Sequence, residues 1–221
     1  MQITPIAYAR NGFTDKFGIP RQSRPDSVLL TRIEFAEGYR DRNMLRGIED
    51  YSHLWLIWGF DKATDWSPTV RPPRLGGNER MGVLATRSPF RPNNLGLTSV
   101  ELVKVESDGS LIVRGADLLN GTPIYDIKPY LSFSDAHPDA RNGFAEAHKN
   151  DHLEVVGLDE ALNTSPFKGV GGSALEEILS QDPRPSYQDD PERIYHLDYD
   201  GYRVDFRVAD RTCYVLNVDK M

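Results

Sequence analysis

Residues 98–119 read TSVELVKVESDGSLIVRGADLL. Two runs that alternate apolar and polar side chains flank Ser-Asp-Gly-Ser. An Asp-Gly pair between such runs is a hairpin signal, because the tight turns that match strand twist need backbone with positive φ. The stretch predicts two antiparallel strands. Outward from it, ITPIAYAR (3–10), SVLLTRIEF (27–35), HLWLIWGFD (53–61) and MGVLATRS (81–88) read as further strands, while NMLRGIEDYS (43–52) reads as a short helix or turn. Many short strands and few helices in the first 134 residues predict an antiparallel barrel or sandwich. No G-x-G-x-x-G follows a strand and opens a helix, so the dinucleotide-binding Rossmann pattern is excluded.

Beyond Ser132 the sequence turns polar as far as Lys149, a linker or surface helix, and a second module follows. LDEALN (158–163) and SALEEILSQ (173–181) are helical, and Ser173 with Glu176 has the spacing of a capping box. Prolines in DPRPSY (182–187) stop that helix. RIYHLDYDGYRVDFRVADRTCYVLNVD (193–219) reads as a three-stranded meander that turns at Asp200-Gly201. The predicted class is mainly β, with a smaller α+β module at the C-terminus.

The chain has 221 residues, a net charge of -7, 39% hydrophobic and 27% charged residues. This is the composition of a globular protein, and LWLIWGF (54–60) is too short to cross a bilayer. A cytoplasmic location is expected. Cys213, the single cysteine, lies in an apolar strand and reads as a buried thiol. The acidity argues against a general polyanion binder, yet it is unevenly spread. Residues 135–221 carry 18 acidic and 9 basic side chains, leaving 17 basic and 15 acidic in residues 1–134. Between Val70 and Arg91, five arginines (Arg71, Arg74, Arg80, Arg87, Arg91) face a single acid, Glu79, a local excess able to meet phosphates.

Three loops combine prolines that fix φ, glycines that admit close backbone approach, and Arg, Asn or Lys donors. They are PRQ (20–22), the run from RPPRLGGNERMG through TRSPFRPNNLGLT (71–98), and NGTPIYDIKPY (120–130). That mixture suits ligand positioning. The five histidines lack zinc-site spacing, so no metal is expected, and no nucleophile elbow is present. Asp126 and Lys128 stand two apart in a strand and share a face, where they either pair with each other or serve a ligand.

At RPPRLGG, MGVLATRSPFRPN, LGLTSVEL and NGTPIYDIKPYL the sequence resembles the TrmO (YaeB or TsaA-like) family over residues 1–135, and QDPRPSY (181–187) resembles the signature of that family's smaller C-terminal module, here 150–221. The resemblance implies an S-adenosylmethionine-dependent methyltransferase acting on N6 of threonylcarbamoyladenosine at tRNA position 37. It implies a homodimer whose N-terminal module is a single β-barrel. For the cofactor it implies Pro20, Arg21, Gln22, Asp61, Lys62, Arg87, Leu97, Asn120, Gly121, Thr122 and Pro123. Asn120 stands where Asp is commoner in the family, and Asp61-Lys62 differs from the His-Gln of some relatives.

With that substrate, Asp126 becomes the expected proton acceptor, with Lys128 or Arg87 stabilising charge on the carbonyl or the threonyl carboxylate. Arg71, Arg74, Arg80 and Arg91 are expected on tRNA phosphates. Arg184 and Tyr187 either touch the anticodon loop or belong to a packed proline stop. The rival expectation is a non-catalytic dimeric module that senses S-adenosylmethionine or another nucleotide.

Overall fold

The computed structural model describes the chain except residues 1, 21, 25, 73, 74, 76–78, 149, 150, 165–169, 186, 187 and 189. Its N-terminal part contains β1 (Ala7–Arg10), β2 (Leu30–Phe35), β3 (His53–Gly59), β4 (Thr69–Val70), β5 (Met81–Gly82), β6 (Leu95–Val105), β7 (Leu111–Arg114), β8 (Pro123–Pro129) and the one-turn helix α1 (Ser132–Asp135). Six of these strands pair antiparallel in a closed cycle, β1-β2-β7-β6-β3-β8 and back to β1, with β4 and β5 forming a separate ribbon.

Alternation explains which faces turn inward. Leu54, Leu56 and Trp58 of β3 are buried with Val100 of β6, Leu111 and Val113 of β7 and Ile124 of β8. On β1 the inward positions are Ala7 and Ala9, opposite Phe35 and Ile33. Small residues facing large ones let a narrow closed sheet fill without overlap. Each fully buried leucine contributes about 1.5–3 kcal/mol of transfer free energy.

The β6–β7 hairpin forms where Asp108-Gly109 predicts it. Gly109 adopts φ 85°, and the Asp108 carboxylate accepts from the Ser110 N–H (3.0 Å) and hydroxyl (2.7 Å). The expected strand at 81–88 is largely replaced by a turn. Only Met81 and Gly82 pair, with β4, after which Val83–Ala85 is a 3-10 turn. The cause is local, since the Thr86 N–H and hydroxyl both return to the Val83 carbonyl, at 3.1 and 2.9 Å.

The C-terminal part comprises β9 (Glu154–Val156), α2 (Leu158–Thr164), α3 (Val170–Ser180), β10 (Tyr195–Tyr199), β11 (Tyr202–Ala209) and β12 (Thr212–Lys220). The last three run antiparallel in sequence order, and β9 adds a fourth, parallel strand beside β12. Asp200 (φ 50°) with Gly201 (φ 80°), and Asp210 (φ 49°) with Arg211 (φ 63°), make the two tight turns. Helix α3 begins three residues before the expected capping box, so Ser173 lies inside it. Gly172 in its first turn serves packing, because a Cβ there would lie 3.1 Å from Leu162 of α2.

The two parts share one of the two cores. Phe13 and Leu29 are buried among Leu175, Ile178, Leu197 and Phe206, with Phe17, Ile19 and Leu119 packed against them. The Asp200 N–H donates to the Gly12 carbonyl (3.1 Å), and the Glu177 carboxylate of α3 accepts from the Val28 N–H (2.7 Å). The loop between β1 and β2 is thereby fastened to the C-terminal part at both ends.

Candidate active site

The same loop forms one wall of a cavity of about 810 Å3. Ile19, Pro20, Ser23 and Arg24 come from this loop. Opposite stand Trp58 to Ala63 at the end of β3, Thr86, Arg87 and Pro89 to Arg91 before β6, Leu95 to Ser99 in β6, and Asp117, Leu119 and Thr122 before β8. The volume suits a small-molecule cofactor, and the walls combine aromatic and aliphatic surface with polar and charged groups.

Trp58, Thr98 and Asp117 form a relay. Trp58 Nε1 donates to Thr98 Oγ1 (3.0 Å), and the Thr98 hydroxyl donates to Asp117 Oδ1 (2.7 Å). Burial pushes the Asp117 carboxyl above its ordinary pKa, against the opposing pull of the Thr98 hydroxyl, the backbone N–H groups of Asp117 and Ser23, and the charge of Arg87. Three carboxylates line the cavity. Asp61 pairs with Lys62 (3.1 Å) and Glu101 with Arg114 (2.9 Å), whereas Asp117 has no ion pair among the described residues.

The loop before β6 knits itself. Arg91 Nη1 donates to the carbonyls of Thr86 (2.8 Å) and Val83 (3.2 Å), and Asn94 Nδ2 to that of Pro89 (2.6 Å). Across the cavity the Ser23 hydroxyl donates to the Ser99 carbonyl (2.7 Å). Behind it Gly115, at φ 80°, leaves room for Arg24, whose carbonyl would lie 2.9 Å from a Cβ there.

Residues 8–136 match the family model for the tRNA-methyltransferase O N-terminal domain, and residues 166–221 match that for the TrmO C-terminal domain. The chain belongs to the tRNA-methyltransferase O family. It is 48% identical over 162 residues to a tRNA (adenine(37)-N6)-methyltransferase of Eikenella corrodens, covering 72% of this chain and 91% of that protein. It is 40% identical over 201 residues to a putative S-adenosylmethionine-dependent methyltransferase of Pseudomonas aeruginosa, covering 87% and 86%. A crystal structure of TrmO from P. aeruginosa superposes with a TM-score of 0.79 at 32% identity, covering 100% of this chain and 97% of that one.

Of the residues that the family resemblance assigns to the cofactor, Pro20, Asp61, Lys62, Arg87, Leu97 and Thr122 line the cavity. Arg21 lies outside the described residues, and Gln22 is half-buried beside the lining. Asn120 is exposed, its side-chain oxygen accepting from the Asn11 N–H (3.3 Å), and Gly121 and Pro123 shape the turn behind Thr122 without lining the cavity.

The geometry bears on three further expectations. Asp126 and Lys128 do share a face, but they pair with each other at 2.8 Å on the outer side of β8, with half of each side chain in solvent, and neither lines the cavity. Arg91 gives its Nη1 to the Val83 and Thr86 carbonyls. Arg184 makes a two-pronged contact with Asp182 (2.8 and 3.0 Å), and 12% of its side chain is exposed, which places it in the packed proline stop. Arg71 and Arg80 are exposed, Arg80 donating to Thr69 Oγ1 (2.7 Å), while Arg74 and Tyr187 lie outside the described residues. Thr98, Asp117 and Ser23 were missed by sequence reasoning. The available signal was Asp117 itself, an acid set between buried Ala116 and Leu118.

Proposed function

We propose that the chain is an S-adenosylmethionine-dependent methyltransferase that methylates N6 of adenosine 37 in tRNA, on the nucleoside that carries the threonylcarbamoyl group. The observation that carries this reading is convergence. Residues drawn from five separate segments, Pro20, Asp61 with Lys62, Arg87, Leu97 and Thr122, meet around one cavity of cofactor size.

S-adenosylmethionine supplies an electrophilic methyl group on a sulfonium centre. The chain's task is to hold donor and acceptor in line and keep water out. The apolar walls built by Trp58, Phe60, Pro89 and Leu97 suit a purine and exclude water. Lysine and arginine at 62 and 87 give cations for carboxylates, and Arg87 suits the planar threonyl carboxylate of the modified base. Arg71 and Arg80, exposed and on the basic stretch, are left for tRNA phosphates. In this reading the six-stranded unit acts as a single catalytic barrel over residues 1–135, and residues 150–221 act as a tRNA-specificity module. The working form is a homodimer in the cytoplasm. Support for the dimer comes from Phe90, Leu95 and Leu97, which expose 47%, 38% and 57% of their surface at the cavity.

The test is incubation of the purified protein with labelled S-adenosylmethionine and tRNA from cells with and without the threonylcarbamoyl modification, followed by nucleoside mass analysis. Methyl on the modified adenosine alone is the expected product. Bound cofactor with no transfer to either pool would overturn the reading in favour of a sensor.

A further inference from the structure

Methylating an exocyclic nitrogen conjugated with a purine ring and a carbonyl requires a proton acceptor beside it, since the lone pair becomes available only as the N–H proton leaves. The candidates are the three carboxylates of the cavity. Asp61 and Glu101 are each paired with a cation, Lys62 at 3.1 Å and Arg114 at 2.9 Å. Asp117 is the lining carboxylate without an ion pair among the described residues, and it is withdrawn from bulk water.

Its orientation is fixed. One oxygen accepts from the Thr98 hydroxyl at 2.7 Å, and that hydroxyl is itself aimed by the buried indole N–H of Trp58 at 3.0 Å. A threonine hydroxyl has one proton, and here it is given to Asp117 while one lone pair accepts from Trp58. A hydroxyl hydrogen bond aims the carboxylate without neutralising it, which is the arrangement a general base needs.

Resting on the methyltransferase reading above, we infer that Asp117 is the general base of the transfer, taking the N6 proton of the acceptor adenosine. The nitrogen pair forms the new N–CH3 bond while the S–CH3 pair stays on sulfur. The proton moves to a carboxylate oxygen of Asp117 and afterwards to solvent, so charge and atoms balance. Thr98 is the positioning residue that holds that carboxylate.

The test compares wild type with Asp117→Asn and Asp117→Glu, measuring S-adenosylmethionine affinity by calorimetry, melting temperature, and single-turnover transfer to modified tRNA. Asparagine keeps the shape and the acceptor for Thr98 but has almost no basicity. Transfer should fall by about 10²–10⁴-fold, with cofactor Kd changed by less than about 3-fold, and Asp117→Glu should recover part of the rate. Removing a buried charge at nearly constant shape favours a folded Asp117→Asn protein. A rate near wild type would overturn the inference, as would loss of cofactor binding in step with the rate, which would make Asp117 a cofactor ligand. Wild-type protein that binds cofactor but forms no N6-methyl product would instead overturn the methyltransferase reading, and this inference with it.

Discussion

A methyl group added at Gly96 should damage the cavity from behind. Gly96 sits opposite Trp58 in the β3–β6 ladder, and a Cβ there would lie 2.3, 2.4 and 2.7 Å from the indole Cε2, Cζ2 and Cδ2 atoms. Carbon atoms meet comfortably at about 3.5–4.0 Å, so the ring must retreat by more than about 1 Å. It can retreat only by giving up its present contacts. Trp58 is 7% exposed, its ring lies edge-on to Phe60 at 4.3 Å, and its Nε1 is committed to Thr98. Overpacking of a fixed ring costs about 1–3 kcal/mol, and loss of the indole hydrogen bond adds about 1 kcal/mol.

Gly96→Ala is therefore expected to lose about 2–4 kcal/mol. For a chain of this size that lowers Tm by roughly 4–16 °C, and the tryptophan emission should change with it. The controls are built in. Gly82→Ala meets nothing within 4 Å and has ordinary backbone, so it should melt with wild type. Gly121→Ala also meets nothing, but φ is +85°, so it should lose about 1–2 kcal/mol by strain alone. A Gly96→Ala protein melting with Gly82→Ala, or above Gly121→Ala, would refute the claim that this glycine exists to admit the Trp58 ring.

Burial pushes the Cys213 thiol up to about 12, so thiol reagents at pH 8 should label it only on unfolding, and rapid labelling of native protein would contradict its packing. The Leu131 N–H, and then the Trp55 indole N–H, hold Asp135 below its ordinary 3.8. The stability this adds is present above pH 3.8 and disappears as pH falls through the lower folded value, so a Trp55 emission change confined to that window should vanish in Asp135→Ala. Replacing Arg71 and Arg80 together by alanine should weaken tRNA binding, lower its salt slope by about one per lost phosphate contact and leave cofactor affinity unchanged, and an unaltered slope would exclude them. Gly18→Ala, at φ +90° with a Cβ 2.2 Å from Leu197 of β10, should weaken cofactor binding by dislodging the loop that ends at Ser23, and unchanged affinity in a folded protein would sever that link.

The strands were legible because alternation and turn chemistry are local. Asp108-Gly109 and Asp200-Gly201 announce hairpins within a few residues, and His53–Gly59 carries its inward face in its own letters. What failed turned on contacts that alternation does not reveal. VLATRS has the composition of a strand, but the Val83 carbonyl finds its donors in Thr86 and Arg91, and the chain curls. Ser173 and Glu176 have capping spacing, yet the helix starts at Val170, with Gly172 set close against Leu162 of α2. In the site, the residues spaced along conspicuous loops were found, while the Asp126–Lys128 pair misled because side-chain parity says which residues share a face and is silent about whether that face is inside or outside.

The position of Asp117 shows why the missing part is three-dimensional. Among the described residues, its side-chain partner is distant in sequence. Its oxygens are met by Thr98 from β6 and by the Ser23 N–H from the β1–β2 loop, 19 residues away in the first case and separated by most of the N-terminal part in the second. That loop in turn reaches the cavity only because Phe13, Phe17 and Ile19 are sunk in the C-terminal core and Gly18 lets the backbone touch Leu197. The acidic C-terminal part therefore acts on the cavity whatever it does for tRNA. It supports the wall against which Asp117 is held, and removing that support should loosen the cofactor loop before it touches any nucleotide.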